Sequence, residues 1–326
     1  MVRAFLQEIP VPTAGLALGV IALGKLLASW ATWAEMICLG VAIVLIALVS
    51  AKALFCTKHL REDLAQPVQA AVFGTFFMTY MQLSTYLVAV SLSAARLLWI
   101  SAVLGHFVLM IWFSAKHFRD FDLKNVFATW FVCYVGIIVG SVTSPLLQLV
   151  VLGQGLFWFG FVAYAALLIV VTLRYVKHEV PAGAAPTFCI YAAPMSLSLA
   201  GYLAVYEVPN MAFVIILEVL AQGLFILVLT KVATFIRKGF FPSFAAMTFP
   251  FVITATALVG SVVALRSEGI FLPVAFDVLI GLEIAFATIM TAFVFGHYMC
   301  FFTRKFQAIA SDYRSPKNVL RNKAFL

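Results

Sequence analysis

Few residues of this chain can do chemistry, and those few are scattered through apolar sequence. Glu218 and Glu283 lie deep within apolar runs, and Asp277 stands near the end of one. A carboxylate at membrane depth is a functional candidate by default, as a proton carrier for a coupled transporter, or else a neutral or paired structural group. Lys-His occurs three times, at Lys58-His59, Lys116-His117 and Lys177-His178. The basic neighbours of these histidines repel metal cations, so they read as interfacial residues rather than ligands. The five cysteines, Cys38, Cys56, Cys133, Cys189 and Cys300, form no CxxC or other metal spacing, which indicates neither a zinc site nor a disulfide framework. HExxH and GxSxG are also missing, so no motif supports an enzyme, and nothing calls for a cofactor.

A different kind of candidate lies between Pro242 and Leu265, in 24 uncharged residues. As one helix they rise about 36 Å, enough to cross a hydrocarbon core of about 30 Å. Pro250 near the centre removes a backbone donor and predicts a kink in that helix. Phe249 and Phe251 flank it on opposite faces. Phe249 shares a face with the small Ala245, Ala246, Thr256 and Gly260; Phe251 shares one with the bulky Phe244, Met247, Leu258 and Val262. A large ring alone on a small-residue face at membrane depth is a candidate plug. Phe is also common here, at 32 of 326 residues, so packing against a neighbouring helix is the alternative.

The elements that position these residues follow from composition. Hydrophobic residues make up 64% of the chain and charged ones 10%; mean hydropathy is +1.10. That is an integral membrane protein. Its net charge of +8 does not point to nucleic acid, because the basic residues fill short gaps between apolar runs. Ten runs are long enough to span: about 12–30, 34–56, 67–88, 92–115, 126–145, 151–173, 186–206, 209–236, 242–265 and 272–303. Arg3 precedes two prolines and Lys25 interrupts the first run, which reads as a retained span rather than a cleaved leader. The whole chain, 1–326, reads as one transmembrane domain with a basic cytoplasmic tail at 304–326.

With both termini inside, 18 of the 21 Lys and Arg residues lie on inner flanks, leaving only Lys25, Arg96 and Arg266 outside. That bias sets the orientation and favours an even number of spans in a plasma or inner membrane. Lys58, Lys116, Lys177, Lys238 and Lys305 recur at intervals of 58, 61, 61 and 67 residues. Each interval is one helical hairpin, so the fold class is all-α: five parallel hairpin repeats, one helix set inside and the other outside. The odd spans carry 18 Ser or Thr in 106 residues against 10 in 130 for the even spans, and they hold both mid-span prolines, Pro194 and Pro250. Hydroxyls and broken helices at depth belong inside protein or along a water-filled path. The odd spans are therefore expected to form an inner ring around a central path. Its lining candidates are Gly15, Gly19, Phe76, Thr79, Gly136, Pro194, Ser198 and Thr256. Their central halves carry no charge, which suits anions or neutral solutes better than cations.

Three stretches resemble the tellurite-resistance/dicarboxylate transporter family, which includes bacterial TehA-like proteins and plant guard-cell slow-type anion channels. They are VPTAGLALGVIALG at 11–24, AAPMSLSLAGYL at 192–203 and FAAMTFPFVITATALV at 244–259. The resemblance implies five inner and five outer helices, a pore in each subunit, a homotrimer, and occlusion by the phenylalanine of the TFP match, Phe249. The function it implies is conduction of small inorganic anions such as chloride or nitrate. Proton-coupled carriage of dicarboxylates or tellurite-related oxyanions, with Glu218 and Glu283 as coupling residues, is the alternative. Two features depart from the pattern: the fifth span has no mid-helix proline, only Pro145 at its end, and no long regulatory tail is present.

Overall fold

The computed structural model describes residues 1–119 and 121–314, and all regular structure among them is helical. Lys317, Arg321 and Lys323 of the expected basic tail lie outside the described residues. A short α1 (Val2–Gln7) leads through Pro10 and Pro12 into α2 (Thr13–Leu27), and α3 (Thr32–Phe55) returns to a polar turn, α4 (Thr57–Asp63). Next come α5 (Pro67–Val72), α6 (Gly74–Leu87), α7 (Leu92–His117), α8 (Thr129–Tyr134), α9 (Ile138–Thr143) and α10 (Val150–Lys177). A 3-10 stretch, Ala182–Ala192, runs into α11 (Ala193–Val205), followed by α12 (Met211–Arg237). A second 3-10 stretch, Pro242–Met247, precedes α13 (Phe249–Ser267), and α14 (Ala275–Arg314) closes the described chain.

Seven of these segments are long and apolar enough to cross a membrane: α3, α7, α10, Ala182–Val205, α12, Pro242–Ser267 and α14. The other three apolar runs are the 15 residues of α2 and two interrupted pairs, α5 with α6 and α8 with α9. Long unbroken helices thus alternate with short or broken ones. Two of the long ones are capped by side chains: Ser91 accepts from the Ala94 N–H at the start of α7, and Asn210 accepts from the Phe213 N–H at the start of α12.

Burial follows the same alternation. In α3, α10, α12 and α14 only 28% of the apolar window is buried, against 83% for Ala182–Val205 and 72% for Pro242–Ser267. On α12 the buried residues are Val214, Leu217, Ala221, Phe225, Val228, Val232 and Phe235, a single stripe at three- and four-residue spacing. Its remaining faces present Ile216, Val219 and Ile226 outward, as a lipid-facing helix does.

The buried elements close on themselves. α2 touches α6, α6 touches α9, α9 touches α11, α11 touches α13, and α13 returns to α2. Four of the long helices lean on two consecutive members of this cycle, α3 on α2 and α6, α10 on α9 and α11, α12 on α11 and α13, and α14 on α13 and α2; α7 leans on α6 and on α8, which leads into α9. Lipid tails are as apolar as Leu, so close packing rather than water exclusion holds such helices together. The seam between α13 and α2 shows how close: a methyl group at Gly19 would overlap the Thr248 side chain and come within 2.9 Å of the Phe249 nitrogen.

Gly19→Ala is therefore expected to cost about 1–3 kcal/mol through overpacking. At Gly223, on α12, an added methyl meets nothing within 4 Å. Thermal unfolding in detergent should separate the two, with Gly19→Ala melting lower and Gly223→Ala unchanged.

Candidate functional site

The inner cycle encloses a cavity of about 70 Å³. Every buried element contributes to its wall: Gly15 and Leu18 from α2, Thr75 and Met78 from α6, and Val135 and Gly136 between α8 and α9. Pro194 and Leu197 come from α11, and Phe249 and Pro250 from α13. None of its lining residues is charged, and the walls are mostly apolar.

The wall is built from places where the inner elements break. Thr248 (φ −115°, ψ −84°) separates the 3-10 stretch Pro242–Met247 from α13. The kink expected at Pro250 is therefore a full break, and the correction has a simple cause. Pro250 occupies the first turn of α13, where a missing N–H costs nothing because it has no helical acceptor. Pro194 stands likewise in the first turn of α11, after the 3-10 stretch. Phe73 separates α5 from α6, and residues 135–137 separate α8 from α9.

Four helices of 13 or more residues, α2, α6, α11 and α13, consequently begin at this cavity and place first-turn residues in its wall. First-turn N–H groups of α2 donate to the Pro10, Val11 and Pro12 carbonyls, and those of Phe251 and Val252 to Thr248, so what these helix starts bring to the cavity is the positive end of a dipole.

Phe249 is 6% exposed and lines the cavity. Phe251 packs outward, 5.0 Å from the Phe286 ring on α14 and 6.0 Å from Phe225 on α12. Of the residues expected on the path, Gly15, Gly136 and Pro194 join Phe249 in the wall. Gly19, Phe76, Thr79, Ser198 and Thr256 lie outside that lining. Gly19 is spent on the seam with Thr248, and Phe76 stacks on Phe73 at 5.1 Å. The three hydroxyls bond their own helices: Thr79 donates to the Thr75 carbonyl, Ser198 to Pro194 and Thr256 to Val252. A hydroxyl satisfied four residues back has no need of a polar lumen, so counting hydroxyls found the inner helices but not the lining.

Leu18, Met78, Val135, Ile190 and Leu197 were missed for the converse reason. They are ordinary apolar residues; three of them stand one turn beyond another lining residue, Leu18 after Gly15, Met78 after Thr75 and Leu197 after Pro194.

Glu218 and Glu283 stand away from the cavity, behind α13. The Glu218 carboxylate accepts from the Gln222 amide at 2.9 Å and the Ser261 hydroxyl at 3.0 Å. Glu283 is 3% exposed and lies close to the Gln222 side chain and to Glu218. The three outer-flank cations are engaged locally: Lys25 with Thr85, Arg96 with Leu147 O and Gln148, and Arg266 with Asp277 through two bonds of 2.8 and 2.7 Å. Among the described residues no group of His, Cys, Asp and Glu is placed to hold a metal ion.

A family model described as voltage-dependent anion channel, SLAC1, matches residues 9–311. No curated protein matches the chain.

The wall assignment predicts a reactivity pattern. In a background with the five native cysteines replaced and Phe249→Ala present, Leu197→Cys should react with a small water-soluble methanethiosulfonate, and Ser198→Cys should not. Mass spectrometry of the intact protein reads the difference.

Proposed function

We propose, for a chain that belongs to the SLAC1 family of voltage-dependent anion channels, a pathway for small inorganic anions such as chloride or nitrate through the inner cavity, closed by Phe249. The observation that carries this is the convergence of five inner elements, four of them broken, on one cavity into whose wall α13 places Phe249. Anion transport is the family's property; the anion, the path and the gate are our proposal.

The physical case has two parts. A cavity of about 70 Å³ holds only a handful of waters, and its apolar wall cannot replace an ion's hydration shell. With the Phe249 ring in place the path is therefore closed by both volume and desolvation. Removing the ring admits water, and the helix N-termini of α2, α6, α11 and α13 then favour negative over positive charge without any basic side chain.

The same proposal takes the ten apolar runs as ten spans in five parallel hairpins, with the odd elements inside and both termini cytosolic. A path enclosed by the elements of a single chain fits the homotrimer that the family resemblance implies, each subunit conducting on its own.

One observation favours a second reading. Glu283 is buried beside Glu218 and Gln222, a carboxylate pair that could serve a proton-coupled carrier of dicarboxylates or tellurite-related oxyanions. Its place behind α13, away from the cavity wall, favours the channel.

Two measurements test this. Phe249→Ala should raise anion conductance about tenfold or more, equivalent to ~1.4 kcal/mol off the barrier. Phe251→Ala should instead cost about 3–5 kcal/mol of stability and leave conductance per assembled protein within about twofold of the parent. A Phe249→Ala variant as closed as the parent overturns the gate. Separately, Glu218→Gln and Glu283→Gln should each preserve flux, and should leave it independent of an imposed proton gradient. Loss of flux at either site in assembled protein would favour the carrier.

A further inference from the structure

The inner element of the fifth apolar run, α8 with α9, breaks without a proline. In a continuous helix the Cys133 carbonyl would accept from the Ile137 N–H. Here Val135 and Gly136 both donate to the Phe131 carbonyl, and the next bond runs from Ile138 to Val135. Cys133 O is instead 2.8 Å from Nε2 of His106. A carbonyl oxygen only accepts, so Nε2 carries the proton. His106 belongs to α7, outside the inner cycle, and is fully buried. Its ring reaches inward between the start of α6 and this break: a methyl on Gly74 would lie 3.2 Å from Cε1, and one on Gly136 would lie 3.3 Å away. Gly136 must also lack a side chain because an added methyl would overlap the Val132 carbonyl.

Elsewhere the breaks are supported from within the cycle. Thr75 donates to Val72 O, Thr248 to Ala245 O, and Ser196 to Ala192 O, and the seventh and ninth elements have first-turn prolines as well. The fifth has Gly136 and a donor supplied by an outer helix.

We propose that His106 is a positioning residue for the anion pathway: the hydrogen bond from its Nε2–H to the Cys133 carbonyl holds the fifth inner element broken, so that Val135 and Gly136 stay in the cavity wall. Without that donor, an exposed carbonyl in an apolar setting would draw the Ile137 N–H back, and α8 and α9 would tend to join. Rejoining them rotates Val135 and Gly136 relative to Phe249 and changes the width of the path. The inference rests on the cavity being the pathway, and the test separates the two.

The test is run in the Phe249→Ala background, where the raised conductance reports on the pathway by itself. His106→Leu keeps apolar bulk and removes the donor; His106→Gln carries an amide N–H at a similar reach. For assembled protein, His106→Leu should lower conductance about tenfold, the worth of one such hydrogen bond, and shift the permeability ratio of nitrate to chloride. His106→Gln should restore both. If Leu prevents assembly, His106→Asn, whose amide falls short of Cys133 O, takes its place with the same expected loss. Equal behaviour of the donor and non-donor variants, whether both normal or both impaired, would overturn the positioning role. A silent Phe249→Ala would overturn the pathway reading and this inference with it.

Discussion

A backbone carbonyl that loses its helical partner in an apolar medium must find another donor, and the whole arrangement depends on that requirement. Water is not on hand to supply one, and an unpaired group costs several kcal/mol. Broken helices can therefore exist only where protein surrounds them. Here the breaks are all in the inner elements, whose freed carbonyls are met by Thr75, Thr248, Ser196 and His106. The first inner element is entered through a carbonyl, that of Ile9, which accepts from the buried Lys52 ammonium at 2.7 Å. The outer helices face lipid and run unbroken for 24 to 40 residues.

The breaks are also what gives the centre its chemistry. A continuous helix crossing the membrane would present only side chains to the axis. One that restarts at mid-depth presents its first turn, with N–H groups and the positive end of the dipole, to whatever lies there. Apolar side chains in the same wall then keep the site narrow without adding a fixed charge that would trap an ion. Phe249 combines both features, since it opens α13 and lines the cavity.

Much of this plan was legible in residues. Hydroxyl content and prolines separated inner from outer elements, and burial divides them the same way. The two-residue offset of Phe249 and Phe251 placed them on different faces, and they do face the cavity and the outer helices respectively. What escaped is depth along the element rather than face. Thr256 and Gly260 follow Phe249 by two and three turns within α13 and lie outside the cavity lining, whereas Ala245 and Ala246, across the break, share the wall with Phe249. Pro250 marked a discontinuity but not its kind, because a proline in a first turn and one in a helix interior look alike in sequence. The fifth break had no proline to announce it, and its cap lies 27 residues earlier on another helix.

The basic periodicity is partly explained by the same requirement. Orientation by positive charge needs only that Lys and Arg stay on one side, yet several do more than that. Lys52 donates to the carbonyls of Gln7 and Ile9, Lys116 to those of Leu64 and Ala65, and Arg174 to those of His178 and Glu179. Each of those carbonyls lies in the chain just before an inner element. At the other end of the sequence Lys305 pairs with Glu8 at 2.6 Å, which ties α14 to the start of α2. Phe5 lies edge-on to Phe302 and Phe306 beside that pair. Cations on long outer helices thus hold the entrances of the inner elements, Lys52 and Arg174 from buried positions. Helix breaks, which need anchored ends to stay in register, lie between these ties and the clips at the opposite end formed by Lys25, Arg96 and Arg266. An inner element held at both ends by its neighbours can be discontinuous in the middle, where the breaks meet the cavity.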